Sequence, residues 1–226
     1  MHTQLINFLV FISSLIALWP ASLHANQMLC TSNQILIEGS RKENISAACD
    51  AVKGAAEFYR STGISMPSNI VIKLESETSL PFQDMHEIGH YDALLHTIVI
   101  RDFQSSTSPK DQSKQELWSI DSRTFWQSYI VHELTHAAIQ AGCGRNCPSR
   151  AVHEYVAAVA QISALPDEYR SRLLDNYRDL KAFENRSEIT ELYYAFNPHY
   201  FAVKSYKHFL KQTDPATYLR SMITPH

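Results

Sequence analysis

No charge of one sign dominates this chain. Its 20 Lys and Arg stand against 23 Asp and Glu, a formal net charge of −3. It has no basic stripe to track a phosphate backbone and no polybasic patch for an anionic membrane, so nucleic-acid and membrane-surface binding are poor readings. Long apolar runs are equally scarce: beyond the N-terminus none reaches membrane length. No internal repeat stands out. Cysteine is limited to four residues, all downstream of residue 25.

The one apolar run, Leu5 to Trp19, is too short for a comfortable span and is followed by small residues. Residues 1–25 read as a signal peptide, with cleavage after Leu23-His24-Ala25. The segment before the run carries no Lys or Arg, so an uncleaved N-terminal membrane anchor is the alternative. Gln27, Met28 and Leu29 before Cys30 make no lipobox. The expected location is secreted or periplasmic. Residues 26–226 then form a single domain of two lobes, an N-lobe over about 26–142 and a helical C-lobe over about 143–226, ample for one core. In an oxidising compartment Cys30, Cys49, Cys143 and Cys147 can pair in three ways. Proximity favours Cys30–Cys49 and Cys143–Cys147. A zinc site on Cys143 and Cys147 is the competing use of two of these thiols.

What is present is concentrated in Tyr129 to Ala138, YIVHELTHAA. His132 and His136 bracket Glu133 in a helix-forming run. Four residues turn about 400°, so the imidazoles share one face, roughly 6 Å apart along the axis. That spacing suits two nitrogens on one Zn²⁺, with Glu133 placed to take a proton from its water. The chemistry implied is metal-assisted hydrolysis, most often of a peptide bond.

The His-Glu-x-x-His pattern occurs twice. Met85 to Tyr91 read MHEIGHY, and His96 follows His90 by six residues, so His86, His90 and His96 have metzincin ligand spacing. Helix context favours the downstream copy. Asp121 or Ser122 can cap its helix and Gly142 can end it. Phe125, Trp126, Tyr129, Ile130 and Leu134 supply a buried face. The upstream copy has Pro81 just before it, Gly89 inside it, and Ala93 where a metzincin needs glycine for a sharp turn. Residues 79–96 read more simply as an irregular lead-in to a strand.

A third ligand is available on the next helix, which starts near Pro148 and Ser149 and stops at Pro166. Glu154 lies eighteen residues past His136, and an antiparallel return can bring its carboxylate to the first helix. His153 is the neighbour that could substitute. HELTH followed by EYVAA resembles the gluzincin zinc metallopeptidases, in particular small bacterial members. The resemblance spans roughly residues 45–223, but only these two segments are specific. It implies a zincin-like α+β fold: a small N-terminal sheet with helices, the HExxH helix, then a mainly helical lobe. It implies His132, His136 and Glu154 as zinc ligands, Glu133 as general base, and a peptide or protein substrate held along an edge strand, for which Thr97–Arg101 is the candidate. One departure matters: where some gluzincins carry an Asp that orients a ligand His, this chain has Ala158, so that support must come from elsewhere.

Elsewhere, Ser46–Tyr59 reads as an amphipathic helix, and Asn69–Leu74 and Thr97–Arg101 as strands. Residues 104–117 read as an exposed loop. Four segments after Pro166 have helical spacing, and their aromatics belong mostly to the core. Hydrolysis of this type needs an oxyanion-stabilising group, and Tyr194, His199 and Tyr200 are the candidates. The rival to an enzyme is a catalytically silent zinc- and peptide-binding module of the periplasm.

Overall fold

The computed structural model describes residues 26–30, 34–76, 88–106, 122–144 and 146–224. The expected signal peptide, His86, Asp121 and most of the expected 104–117 loop lie outside them. The chain is α+β: a five-stranded mixed sheet, then a mainly helical half. β1 (Asn26–Leu29) pairs antiparallel with β2 (Leu36–Gly39), and α1 (Lys42–Thr62) crosses to β3 (Val71–Glu75), parallel to β2. β4 (Gly89–Asp92) turns back into β5 (Thr97–Arg101), which lies parallel to β3 and leaves β4 on the edge.

Alternation sets which face is inside. In β3 every second residue is buried, and the register aligns Ile37, Ile72 and Ile98 across three strands, all 0% exposed. Each fully buried Ile contributes roughly 1.5–3 kcal/mol of hydrophobic stabilisation. α1 lies against β1 and β2, while α3 (Arg123–Cys143) lies against β4 and β5 and also packs on α1.

Several boundaries differ from the sequence reading. α1 begins earlier than Ser46, because Ile45 is buried and the Asn44 side chain donates to Gln104 and accepts from Arg123. It ends at Gly63 in the left-handed region, φ 72°, where a Cβ would sit 3.0 Å from the Arg220 guanidinium. Residues 104–106, expected in a loop, belong to α2 (Phe103–Ser106), whose first turn is closed by Ser105 N–H donating to Asp102. α3 runs through Gly142 to Cys143, and Gly144 takes the positive φ of 57°.

The second half contains α4 (Arg150–Ser163), α5 (Asp167–Asn176), α6 (Glu191–Phe196), α7 (Pro198–Leu210) and α8 (Pro215–Ile223), so each helical segment after Pro166 holds one helix. α4 is its spine: Tyr155, Val156, Val159 and Ile162 are 0% exposed, packed by α3 on one side and α7 on another. Cys30–Cys49 and Cys143–Cys147 are both disulfides. No described helix is long and apolar enough to cross a membrane.

Candidate metal centre

α3 is fixed before it presents any chemistry. Ser122 caps it, its side chain accepting from Phe125 N–H at 3.3 Å. Trp126, fully buried, donates its indole N–H to Arg101 O at 2.8 Å, tying the helix to the end of β5. Behind the site Tyr59 on α1 hydrogen-bonds Thr135 at 2.9 Å. His132 and His136 stand edge to face, ring centroids 4.9 Å apart.

The loop after Cys143, closed by the Cys143–Cys147 disulfide, reverses the chain into α4. Glu154 is thereby brought back to α3. Its Oε2 lies 3.3 Å from His132 Nε2 and 3.8 Å from His136 Nε2. Three ligands bound tetrahedrally at the usual Zn–N and Zn–O lengths are spaced by about 3.4 Å, so these separations suit one ion. Glu154 Oε2 is moreover buried without a hydrogen-bond partner. Such an orphan acceptor facing two imidazole nitrogens is what a metal site looks like before the ion is considered. Glu133, also buried, sits beside the pair, its ligand atom within 4.8 Å of theirs. These residues can hold a metal ion.

The electrostatics follow from this crowding. Burial opposes charge on His132, but contact with Glu154, the charge of Glu133 and the bond to Gln161 push its pKa up. Burial and the neighbouring His132 charge hold His136 down at about 3. The pair therefore accepts one proton, on His132, and resists a second. Burial pushes the Glu154 carboxyl up, yet His132, His136 and the Tyr194 hydroxyl outweigh it and hold the group at about 2. Arg150 supports the carboxylate from outside, its Nε 3.8 Å from Oε1, and lies 5.6 Å above the Tyr194 ring.

The centre opens on a cleft of about 710 Å³ between the sheet and the helical half. One wall is β4, where Gly89 permits a close approach: a Cβ there would lie 2.4 Å from Ile100 Cδ1, 3.0 Å from Val99 O and 3.2 Å from Glu133 Cγ. The other wall carries Tyr194 and His199. Asn197 lies between them in the chain, closing α6 and capping α7 by accepting from Tyr200 N–H at 3.0 Å. Tyr194 bonds Glu154, and burial raises its pKa, so the hydroxyl keeps its proton. Tyr200 is not a lining residue; it is 43% exposed and packs on Tyr177.

Of the remaining sequence candidates, His90 and His153 also line the cleft, in other positions. His153 stacks on His136, 5.8 Å between centroids, and groups with Cys143 and Cys147, which are joined to each other. His90 lies on β4 and His96 in the turn before β5, so a strand occupies the stretch where metzincin spacing needs a helix. Nor is Thr97–Arg101 an edge: β5 lies between β3 and β4, and β4 is the end strand beside the cleft. Gln161 and Arg150 went unnoticed in the sequence. Gln161 was detectable, lying two helical turns beyond Glu154 on the same face.

A family of unknown function (DUF6639) matches residues 35–225, a span that includes the sheet from β2 onwards and every residue of the centre. No curated protein and no solved structure matches the chain.

Proposed function

Since the chain belongs to the family of unknown function DUF6639, we propose its activity from its own side chains: it is an exported zinc metallopeptidase. The observation that carries this reading is the convergence of His132, His136 and the orphan Oε2 of Glu154, with Glu133 alongside. Two imidazoles and a carboxylate are a set that zinc favours in hydrolytic sites. A zinc ion held there would supply Lewis acidity to polarise a carbonyl and acidify a water.

The rest of the chemistry belongs to the chain. Glu133 accepts a proton as the water oxygen bonds the peptide carbon, then delivers it to the amine nitrogen as the C–N bond breaks. Tyr194, protonated and beside Glu154, is the donor placed for the developing oxyanion, with His199 the second choice on the same wall. β4 offers the peptide an edge for strand addition next to Glu133. The apolar N-terminal run and the two disulfides fit export to an oxidising compartment.

The test is metal content together with turnover of a broad peptide library. One zinc per chain is expected, with cleavage abolished by a chelator and restored by zinc. Zinc binding without any cleavage would leave only a peptide-binding module. No zinc in the wild type, or unchanged zinc in His132→Ala, would discard the assignment.

A further inference from the structure

A histidine serves a metal through one nitrogen only if its proton resides on the other, and free imidazole favours the proton on Nε2. For His132 to bind an ion through Nε2, the nitrogen that lies 3.3 Å from Glu154 Oε2, its own proton must sit on Nδ1. We infer that Gln161 is the positioning residue that fixes His132 with its proton on Nδ1 and its lone pair on Nε2. The inference rests on the reading of His132 as a ligand.

The polarity can be followed from a group that cannot change. Phe125 O is a backbone carbonyl and carries no proton. Ser128 Oγ lies 2.7 Å from it, so the Ser128 hydroxyl donates there. A hydroxyl has one proton, so Ser128 can only accept from Gln161, and the amide NH₂ lies 3.3 Å away. The amide oxygen is thereby turned to His132, with Oε1 3.0 Å from Nδ1. An amide oxygen only accepts, so Nδ1 must be the protonated nitrogen. Gln161 and Ser128 are each 3% exposed, and water cannot cheaply substitute for either.

The device also replaces what Ala158 lacks. Position 158 lines the same cleft with no polar atom to offer. Gln161, one turn further along α4, reaches the ring instead. It does so as a neutral amide, adding no third carboxylate to a buried cluster that already holds Glu133 and Glu154.

Long-range ¹H–¹⁵N NMR of histidine-labelled, metal-free protein at pH 9 reads the tautomer directly, with the His132 signal identified by its loss in His132→Gln. The wild type should show Nδ1–H. Gln161→Met should return the ring to mainly Nε2–H and raise the zinc Kd by about 10- to 100-fold. Gln161→Glu, which keeps an acceptor, should retain Nδ1–H, and Ser128→Ala should give a mixture. Thermal melts of each variant separate misfolding from tautomer change, and Gln161→Glu carries the test if Gln161→Met does not fold. Nε2–H in the wild type, or an Nδ1–H signal and Kd unmoved in Gln161→Met, would overturn the inference. Nδ1–H in a wild type that binds no zinc would instead remove the metal reading and leave the positioning intact.

Discussion

Metal uptake should release one proton at pH 5, not two. The site loads a divalent ion only when both imidazoles are neutral. Two ordinary histidines, titrating near 6.5, would each be almost fully protonated at pH 5 and would expel close to two protons. Here His136 is held at about 3 by burial and by the charge of His132. At pH 5 it lies two units above that value, so about 1 in 100 copies carries the proton. Glu154, held at about 2, has none to give. His132, shifted upward, carries one. Zinc affinity should therefore fall about tenfold, or about 1.36 kcal/mol, for each unit of acidification in this range. Isothermal titration calorimetry in two buffers of different ionisation enthalpy counts the protons. In Glu154→Gln the anion that retains the His132 proton is gone, so both the proton count and the affinity should drop. A count near two in the wild type, or a count unchanged in Glu154→Gln, would refute the coupling argued from the 3.3 Å and 3.8 Å contacts.

Other outcomes follow from the same coordinates. Glu133→Gln should keep zinc but reduce turnover by about 10²- to 10⁴-fold, read as kcat on a peptide substrate; full activity in that variant would remove the general base. Gly89→Ala forces a Cβ against Ile100 and Val99 O, so about 1–3 kcal/mol of stability should be lost, a fall of roughly 2–12 °C in Tm by calorimetry. Tyr59→Phe deletes the hydroxyl bonded to Thr135 on the helix that carries His132 and His136. Thr135 still donates to Val131 O, so the loss should stay near about 1 kcal/mol by chemical denaturation, with little change in zinc affinity.

Particular residues show which parts of this were legible. The helix bearing His132 and His136 was legible because cap, apolar face and ligand spacing all lie within one continuous stretch. The helical segments beyond Pro166 declared themselves the same way, through their period. β4 did not. Its four residues are too few to show an alternation, and Gly89 looked like a helix breaker when it is a point of close approach to Glu133. The helix end was misplaced at Gly142 because two glycines sit within three residues and only the packing of buried Cys143 selects the second.

The sequence by itself determined the candidate donors: two imidazoles one helical turn apart, a glutamate between them, and a further glutamate one helix on. Local geometry suffices there, since the helix fixes neighbours at four residues. What only the tertiary structure decided is everything that depends on separation along the chain. It decided that Glu154 Oε2 meets both imidazoles, that Gln161 rather than residue 158 reaches His132, that Tyr194 and His199 but not Tyr200 face the cleft, and that β4 rather than β5 is the edge. Those relations are set by how α4 docks on α3 and how strands order in the sheet, and no period in a single segment encodes either.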